Sequence, residues 1–289
     1  MSSLREIKDR IASVRSTLKI TSAMKLVASS KLRKAQKAIE ALRPYADTLS
    51  DILASASEAA GGLVAGSNSA FPDSEGEIAH RTVILAFASN SSMCGAFNAN
   101  VIKKTLEFAR GCEGSVEAWA FGRKMAEGLR KGGCAAARDY SQLVAHPSFE
   151  AVAALAEELR GLYESGAVSE AVLVYNHFVS TGRQEVVIER YLPFRVPSDP
   201  ESSDASEDFI IEPSRPELVA ALMPQILKLR LYAALLDSAA SEHASRMIAM
   251  QAATDNGESL LGELTLEYNK GRQQKITSEI LDLVGAGLY

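Results

Sequence analysis

Cysteine and histidine are scarce in this chain of 289 residues, which has three of the first and four of the second. The cysteines, Cys94, Cys112 and Cys134, form an odd set that lacks the spacing of a zinc site. We therefore expect a reducing compartment rather than a disulfide framework. No histidine stands at metal-ligand spacing from a cysteine or a carboxylate, so the sequence predicts no metal site.

Long apolar runs and glycine-rich phosphate loops are also missing. No stretch of about 18 consecutive apolar residues exists, which argues against a transmembrane helix. The N-terminus has no apolar signal-peptide core, and a helical pattern begins by Leu4, so we expect no removable leader. The segment 89–98 (SNSSMCGAFN) contains one glycine and lacks the lysine of a P-loop.

Charge is distributed unevenly along the chain. The net charge is −5, yet residues 1–45 carry eleven Lys or Arg residues against Glu6, Asp9 and Glu40. Such a basic helix could track nucleic acid, form a solvated face, or complement an acidic protein partner. A basic-zipper protein fits poorly, because the basic residues are spread along the same stretch as the apolar repeat described next.

The last seventy residues predict one long helix with a coiled-coil seam, since apolar residues recur at spacings of three and four. The segment 244–280 is the most continuous part, and the helix opens near residues 214–216 or after Pro224. The seam positions are Leu222, Ile226, Leu229, Ala233, Leu236, Ala240, His243, Met247, Met250, Thr254, Gly257, Leu261, Leu264 and Tyr268.

Residues 4–42 supply a matching helix, because a lone helix cannot bury such a stripe. Its seam positions are Leu4, Ile7, Ile11, Val14, Leu18, Thr21, Lys25, Ala28, Leu32, Ala35, Ile39 and Leu42. Pro44 indicates a boundary or kink, after which helical character returns. The two helices should pair antiparallel. Polar or small residues interrupt both seams, at Thr21 and Lys25 and at Thr254 and Gly257. They are merely tolerated, or they set the register of the pair, or they are functional positions.

The middle of the chain predicts a compact α/β domain with a mainly parallel sheet and one antiparallel hairpin. Expected strands are 82–88, 115–121, 171–178 and 184–191, and expected helices are 98–110, 124–131 and 149–165. The predicted organisation is a first coiled-coil helix (1–60), a linker (61–80), a Rossmann-like α/β domain (81–196), an acidic mobile linker (197–213) and a second coiled-coil helix (214–289).

One loop offers an enzymatic alternative. Residues 89–98 follow the first strand and precede a helix, where open α/β sheets often bind ligands. In that hypothesis Cys94 is a nucleophile and His177 is its base. The alternative interpretation, which we favour, is a structural strand-to-helix turn with a buried cysteine.

The terminal stretches resemble the γ subunit of F-type ATP synthases. The resemblance rests on IKDRIASVRSTLKITSAMKLVASSKLRKAQ (7–36), RPYA (43–46) and SEHASRMIAMQAATDNGESLLGELTLEYNKGRQQKITSEILDLV (241–284), which together span about a third of the chain. The middle departs from the family: NSSMCGAFN (90–98) stands where the family has an acidic-basic-Gly sequence followed by LCGGLN, so Cys94, Gly95 and Asn98 match and the rest does not.

The resemblance implies a rotor shaft with no catalytic site and no cofactor of its own. Its antiparallel coiled coil would penetrate a ring of three α and three β subunits. Its α/β domain would lie toward the membrane, beside the ε subunit and the ring of c subunits. Proton flow would turn the shaft, and the shaft would drive each β subunit through its nucleotide-binding states. The chain would then be peripheral on the cytoplasmic face of the bacterial inner membrane.

The resemblance also assigns surfaces. Met24 and Lys25 match the family segment that faces the β subunits, although Lys25 differs in charge from relatives with Glu there. Arg272 and Gln273 match a polar pair that hydrogen-bonds a β loop. Arg246, Met247 and Ala249 match the part of the family's last helix that packs against its first helix near Met24. The seam positions expected to hold the pair are Ile7, Ile11, Val14, Leu18, Arg246, Met247, Met250, Leu261 and Leu264.

Overall fold

A computed structural model describes residues 4–58, 81–112, 114–194, 212 and 214–286, which form six helices and five strands. The predicted linkers, apart from Glu212, lie outside the described residues. The helices are α1 (Leu4–Glu58), α2 (Phe97–Gly111), α3 (Arg123–Lys131), α4 (Ser141–Ala145), α5 (Phe149–Glu164) and α6 (Arg215–Ala286). The strands are β1 (Arg81–Phe87), β2 (Ser115–Phe121), β3 (Arg138–Asp139), β4 (Glu170–Ser180) and β5 (Arg183–Leu192).

The five strands form one sheet in the order β3-β2-β1-β4-β5. β1 is parallel to both β2 and β4, with Ile84 opposite Ala118 on one side and Val172 on the other. β4 and β5 form the antiparallel hairpin, in which Val174 lies opposite Ile188. The chain order therefore reverses between β1 and β4, as in doubly wound α/β folds.

Both faces of the sheet are covered, which explains why β1 is a continuous apolar run rather than an alternating one. One face, with Leu85, Phe87 and Trp119, packs against α5 and against parts of α1 and α6. The opposite face, with Ile84 and Ala86, packs against α2 and α3. Both clusters lie within a compact unit of the chain formed by Lys31–Ser245.

A second compact unit consists of Met1–Ser30 and Arg246–Tyr289. Within it the two helices run antiparallel. Thr254 hydrogen-bonds Thr21, Gly257 lies against Leu18, and Gly271 lies against Leu4. Residue numbers therefore rise along α6 in the direction in which they fall along α1. The predicted fold class, an α/β middle domain with an antiparallel pair of terminal helices, is confirmed.

Of the two interpretations of Pro44, a boundary or a kink, the boundary is wrong, because α1 runs without a break from Leu4 to Glu58. Pro44 has no N–H for the helical ladder, yet its own carbonyl accepts a bond from Thr48 Oγ1 at 2.8 Å. The short β3 and α4 escaped prediction, because two and five residues are too few to show a period.

The last helix contains a window that is apolar enough to be compared with a membrane span, although the sequence predicts no transmembrane helix. By length and composition alone, the helical stretch Pro216–Leu283 is apolar enough to cross a membrane over an 18-residue window. In the unit Lys31–Ser245, however, Ile226, Leu231 and Leu235 of this helix are buried against the sheet. A helix that packs into a protein core meets the same test, and 33% of the apolar window is buried within this structure.

Candidate functional site

The facing stripes of the helical pair are buried or half-buried, while the remaining surfaces of both helices are mostly exposed. On α1, Ile7 is buried and Ile11, Val14 and Leu18 are half-buried. On α6 the corresponding positions divide into buried residues, Arg246, Met250 and Leu264, and half-buried ones, Met247, Ala249 and Leu261. The heptad spacing thus places one stripe of each helix inward and leaves the rest available to other molecules.

Two of the polar interruptions of the seam meet each other. Thr254 Oγ1 lies 3.0 Å from Thr21 Oγ1, and each hydroxyl also bonds a carbonyl of its own helix, Met250 O at 2.9 Å and Leu18 O at 3.1 Å. Thr21 is only 8% exposed. Because both hydroxyls are satisfied, the helices can keep polar groups in their contact without a buried unpaired donor.

Gly257 provides close approach one turn further along α6. A Cβ atom at this position would lie 2.7 Å from Leu18 Cδ2, so the glycine makes room for the leucine side chain. The local turn preference of Asp255, Asn256 and Gly257 does not interrupt the helix. Packing against α1 supplies what local propensity lacks, since tertiary contacts outweigh the cost of about 1 kcal/mol for a helical glycine.

A run of apolar side chains on α1 faces away from the seam next to the predicted contact residues. Met24 and Lys25 are half-buried, whereas Ile20, Leu26 and Val27 are all more than half exposed. Leu26, at 69%, is the most exposed of these. Exposed apolar side chains grouped in this way mark interaction surfaces in proteins.

Arg272 and Gln273 lie on the last part of α6, where every residue from 272 to 283 is exposed. The backbone oxygen of Gln273 accepts a hydrogen bond from Thr277 Oγ1 at 2.9 Å, which is a contact within the helix. Ile276, Ile280 and Leu281 add exposed apolar area nearby. This segment therefore offers both guanidinium and amide donors and apolar groups to a partner.

The loop 89–98 is a closed hydrogen-bonded turn. Cys94 is 1% exposed, and its sulfur accepts a bond from Asn98 Nδ2 at 3.2 Å. Ser89 contributes further bonds, because its backbone N–H donates to Asn98 Oδ1 at 3.0 Å and its hydroxyl donates to Ser91 O at 2.6 Å. Gly95 takes a positive φ of 58°, which suits a residue without a side chain. The arrangement fits a structural turn.

His177 pairs with Asp237 and not with Cys94. Its Nδ1 lies 2.5 Å from Asp237 Oδ2, and Asp237 Oδ1 accepts a bond from the backbone N–H of Phe178 at 3.0 Å. Among the residues that the structure describes, no hydrogen bond joins His177 to Cys94. The hypothesis of a Cys94–His177 dyad therefore has no support.

Asp237 was missed by the sequence reasoning, although a signal was present. It is the one charged residue in the apolar stretch 231–241 (LYAALLDSAAS). Burial raises the pKa of its carboxyl, an effect opposed by the bonds from His177 and Phe178 and by the charges of His177 and Arg43. A carboxylate held in such surroundings needs specific partners, and here the end of β4 supplies them.

Two adjoining cavities of about 370 and 360 Å³ lie near the start of β1 and β4, at the sheet edge opposite to the loop 89–98. They share Phe108, Glu170 and Arg190 as lining residues. Glu170 and Arg190 already form an ion pair at 2.7 Å. Within the described ranges no group of three His, Cys, Asp or Glu side chains could hold a metal ion.

Comparison with known proteins gives matches over the whole chain. A family model described as ATP synthase matches residues 3–287. The ATP synthase gamma chain of Bacteroides fragilis is 45% identical over 295 residues and is covered, like this chain, over 100% of its length. That of Phocaeicola vulgatus is 43% identical with the same coverage, and that of Flavobacterium johnsoniae is 41% identical over 99% of this chain and 98% of its own.

Solved structures share the fold at lower identity. A chain in the OSCP/F1/c-ring structure of the Euglena gracilis mitochondrial ATP synthase, rotational state 3, matches with a TM-score of 0.65 at 19% identity, over 98% of this chain and 93% of that one. A chain in the central stalk/c-ring structure from Tetrahymena thermophila matches with a TM-score of 0.57 at 23% identity, over 81% of this chain and 99% of that one.

Proposed function

This chain belongs to the ATP synthase gamma chain family, and we propose that it is the central shaft that transmits torque between the ion-driven ring in the membrane and the catalytic ring of its ATP synthase. The observation that carries the proposal is the match to bacterial gamma chains over the full length of both sequences. In this role the chain forms and breaks no bond itself. The reaction takes place on the β subunits, and the shaft biases their states through differential contacts.

The helical pair Met1–Ser30 and Arg246–Tyr289 is the part that we propose enters the ring of α and β subunits. Its seam holds the two helices together, which leaves the outer surfaces for the ring. Met24 and Lys25, beside the exposed Leu26 and Val27, would contact one region of the β subunits. Arg272 and Gln273 would donate hydrogen bonds to another. Because the two helices expose different residues, three identical β subunits would meet three different faces.

The unit Lys31–Ser245 is the part that we propose lies toward the membrane, against the ε subunit and the c-ring. The complex would place the chain at the cytoplasmic face of a bacterial inner membrane, as a peripheral subunit. The coupled ion would be the proton. No cofactor or metal is needed by the chain in this role, since its contribution is mechanical.

The test is a charge reversal at Arg272 in the complex reconstituted into vesicles. We expect Arg272→Glu to reduce ATP-driven proton pumping by roughly tenfold, because a glutamate cannot donate the hydrogen bonds of the guanidinium and brings the opposite charge to the contact. Circular dichroism of the isolated chain should be unchanged, since Arg272 is exposed. Pumping is measured by quenching of a pH-sensitive dye.

The matched control is Lys270→Glu, which makes the same change of charge on an exposed residue two positions away. Two residues correspond to about 200° around a helix, so the control alters the opposite surface. Normal pumping by Arg272→Glu would contradict the assignment of this surface. Equal losses in both variants would show a general charge effect instead.

A further inference from the structure

The junction between α6 and the sheet contains a set of directional contacts that the proposed role leaves unexplained. Along α6, five residues bind side chains or backbone of the hairpin β4–β5. The pairs are Leu227 with Tyr191, Arg230 with Glu189, Asp237 with His177 and Phe178, Ser241 with Asn176, and Ser245 with Gln184. All of them lie within the unit Lys31–Ser245.

These contacts are concentrated at the end of β4. Three consecutive strand residues, Asn176, His177 and Phe178, bind Asp237 and Ser241, which stand one turn apart on α6. We refer to these five residues as the β4 clamp. Both carboxylate oxygens of Asp237 are used, and the Ser241 hydroxyl donates to Asn176 O at 2.9 Å from a fully buried position.

Apolar packing and hydrogen bonds resist different movements. The apolar contacts of Leu231 and Leu235 with the sheet hold α6 down, but apolar attraction is non-directional and opposes rotation only weakly. Hydrogen bonds require donor–acceptor distances of about 2.7–3.2 Å. Turning a helix of about 5 Å radius through 20° moves its side-chain ends by about 2 Å, which breaks such bonds.

We propose that the β4 clamp is the element that prevents α6 from turning or sliding against the sheet when torque passes between the α/β unit and the shaft. Asp237 is the central positioning residue. Its two oxygens bind two neighbouring strand groups, so a rotation of the helix in either sense breaks at least one bond. The inference rests on the proposed function, because only a rotating shaft places this junction under load.

A clamp that resists torque should matter more as the proton gradient opposing rotation grows, whereas a merely structural contact should not depend on that gradient. We would reconstitute the complete ATP synthase with Asp237→Ala and measure the ratio of ATP-driven proton pumping to ATP hydrolysis. The ratio is taken first from the initial rates after ATP is added, when no gradient yet opposes rotation, and then again as the gradient builds. A weakened clamp should slip only under load, so hydrolysis should persist while the ratio falls by roughly threefold to tenfold at high gradient, the factor for one or two lost hydrogen bonds.

Two further variants make the test specific. Asp237→Asn keeps an acceptor for the Phe178 N–H and a hydrogen-bonding partner for His177, so it should restore most of the coupling. Glu164→Gln removes an exposed ion pair with Arg160 inside α5 and leaves α6 untouched; it should behave as the unmodified complex does. If Asp237→Ala does not assemble, Ser241→Ala, which removes one bond and adds no charge, is measured in the same way.

The outcomes distinguish the clamp from the shaft itself. A ratio that does not depend on load in Asp237→Ala, or in Ser241→Ala where that variant takes its place, would overturn the clamp while leaving the proposed function intact. A loss of equal size in Glu164→Gln would also overturn it. If the unmodified chain forms no complex that pumps protons, the proposed function fails and the clamp fails with it.

Discussion

The two compact units of this chain bury their apolar side chains to different degrees. In Lys31–Ser245 a sheet covered on both faces encloses large residues completely, among them Trp119, Phe87 and Tyr191. In the helical pair the most buried residue is Ala28, and Ile7, Met250 and Leu264 keep a few per cent of exposure. Two helices can cover a side chain from one side only, so a seam never becomes a closed core.

This difference indicates where each unit obtains its stability. The α/β unit holds a core that two layers of helices complete. The helical pair leaves Leu26, Val27 and Leu281 in contact with solvent, an arrangement that suits a segment surrounded by partner subunits. The same chain therefore combines a unit with a closed apolar core and a helical pair that keeps apolar side chains exposed.

Breaking the core of the α/β unit should have the largest effect. Phe87 is 1% exposed, and its ring stacks on Phe121 at 4.2 Å. We expect Phe87→Ala to lower the free energy of unfolding of this unit by about 3–5 kcal/mol through lost contacts and a cavity. Urea denaturation of the full chain followed by Trp119 fluorescence measures it, because the chain's one tryptophan lies in this unit.

The control for this prediction is Phe149→Ala, which removes the same group from a position that is 41% exposed. A smaller loss is expected there, since part of the ring is already in water. If the two substitutions destabilise equally, the core would not be the source of the stability of this unit.

Truncating a seam residue should have an intermediate effect. The register of the pair places Leu264 opposite Ile11, and Leu264 is 8% exposed. We expect Leu264→Ala to lower the stability of the helical pair by about 2 kcal/mol, near the lower limit for a buried leucine. Far-UV circular dichroism should show an earlier loss of helix, while the fluorescence transition of Trp119 stays in place.

Leu266→Ala is the matched control, because this leucine lies two residues away on the same helix and is 72% exposed. This substitution should change the stability of the helical pair by less than about 0.5 kcal/mol. A shift of the Trp119 transition by Leu264→Ala would mean that the two units unfold together, which would remove the comparison.

The smallest effect is expected at the threonine pair. Thr254→Val removes the bond to Thr21 Oγ1, but Thr21 still bonds Leu18 O. We expect Thr254→Val and Thr21→Val each to lower the stability of the helical pair by about 0.5–1 kcal/mol. The double-mutant cycle of the two should give a coupling energy of similar size. The measurement is the helix transition in urea.

Thr277→Val controls for the loss of a hydroxyl that bonds only its own helix, at Gln273 O. Additive effects of the two seam valines would show that the hydroxyls do not interact. A double variant more stable than the unmodified chain would show that the polar pair does not stabilise the two helices.

Much of the fold followed from local pattern. β2 lies where the apolar run predicts it, at Ser115–Phe121, and β1 is a continuous apolar strand because both of its faces are covered. The heptad positions predicted the inward stripes of both long helices. At Pro44 only the boundary alternative was wrong, since a helix held by tertiary contacts can lose one backbone bond and continue.

The sites were less accessible to sequence reasoning. Met24, Lys25, Arg272 and Gln273 were found by resemblance, and their contacts with partner subunits stay predictions. Asp237 was overlooked because nothing in its neighbourhood along the chain names its partners: His177 and Phe178 are sixty and fifty-nine residues away. Local sequence shows that a charge is out of place, and only the fold shows what holds it.

By itself the sequence determined the paired helices and the alternation of strands and helices between them, because periodicity and composition act over short ranges. The family was indicated by the resemblance of the terminal segments. The tertiary structure alone decided the strand order, the antiparallel register that joins Thr21 to Thr254, and the contacts of Asp237 with the end of β4. These depend on residues distant in sequence that meet through packing. A pattern along the chain predicts which face of a helix or strand is buried. Which element packs against that face is decided only by the tertiary fold.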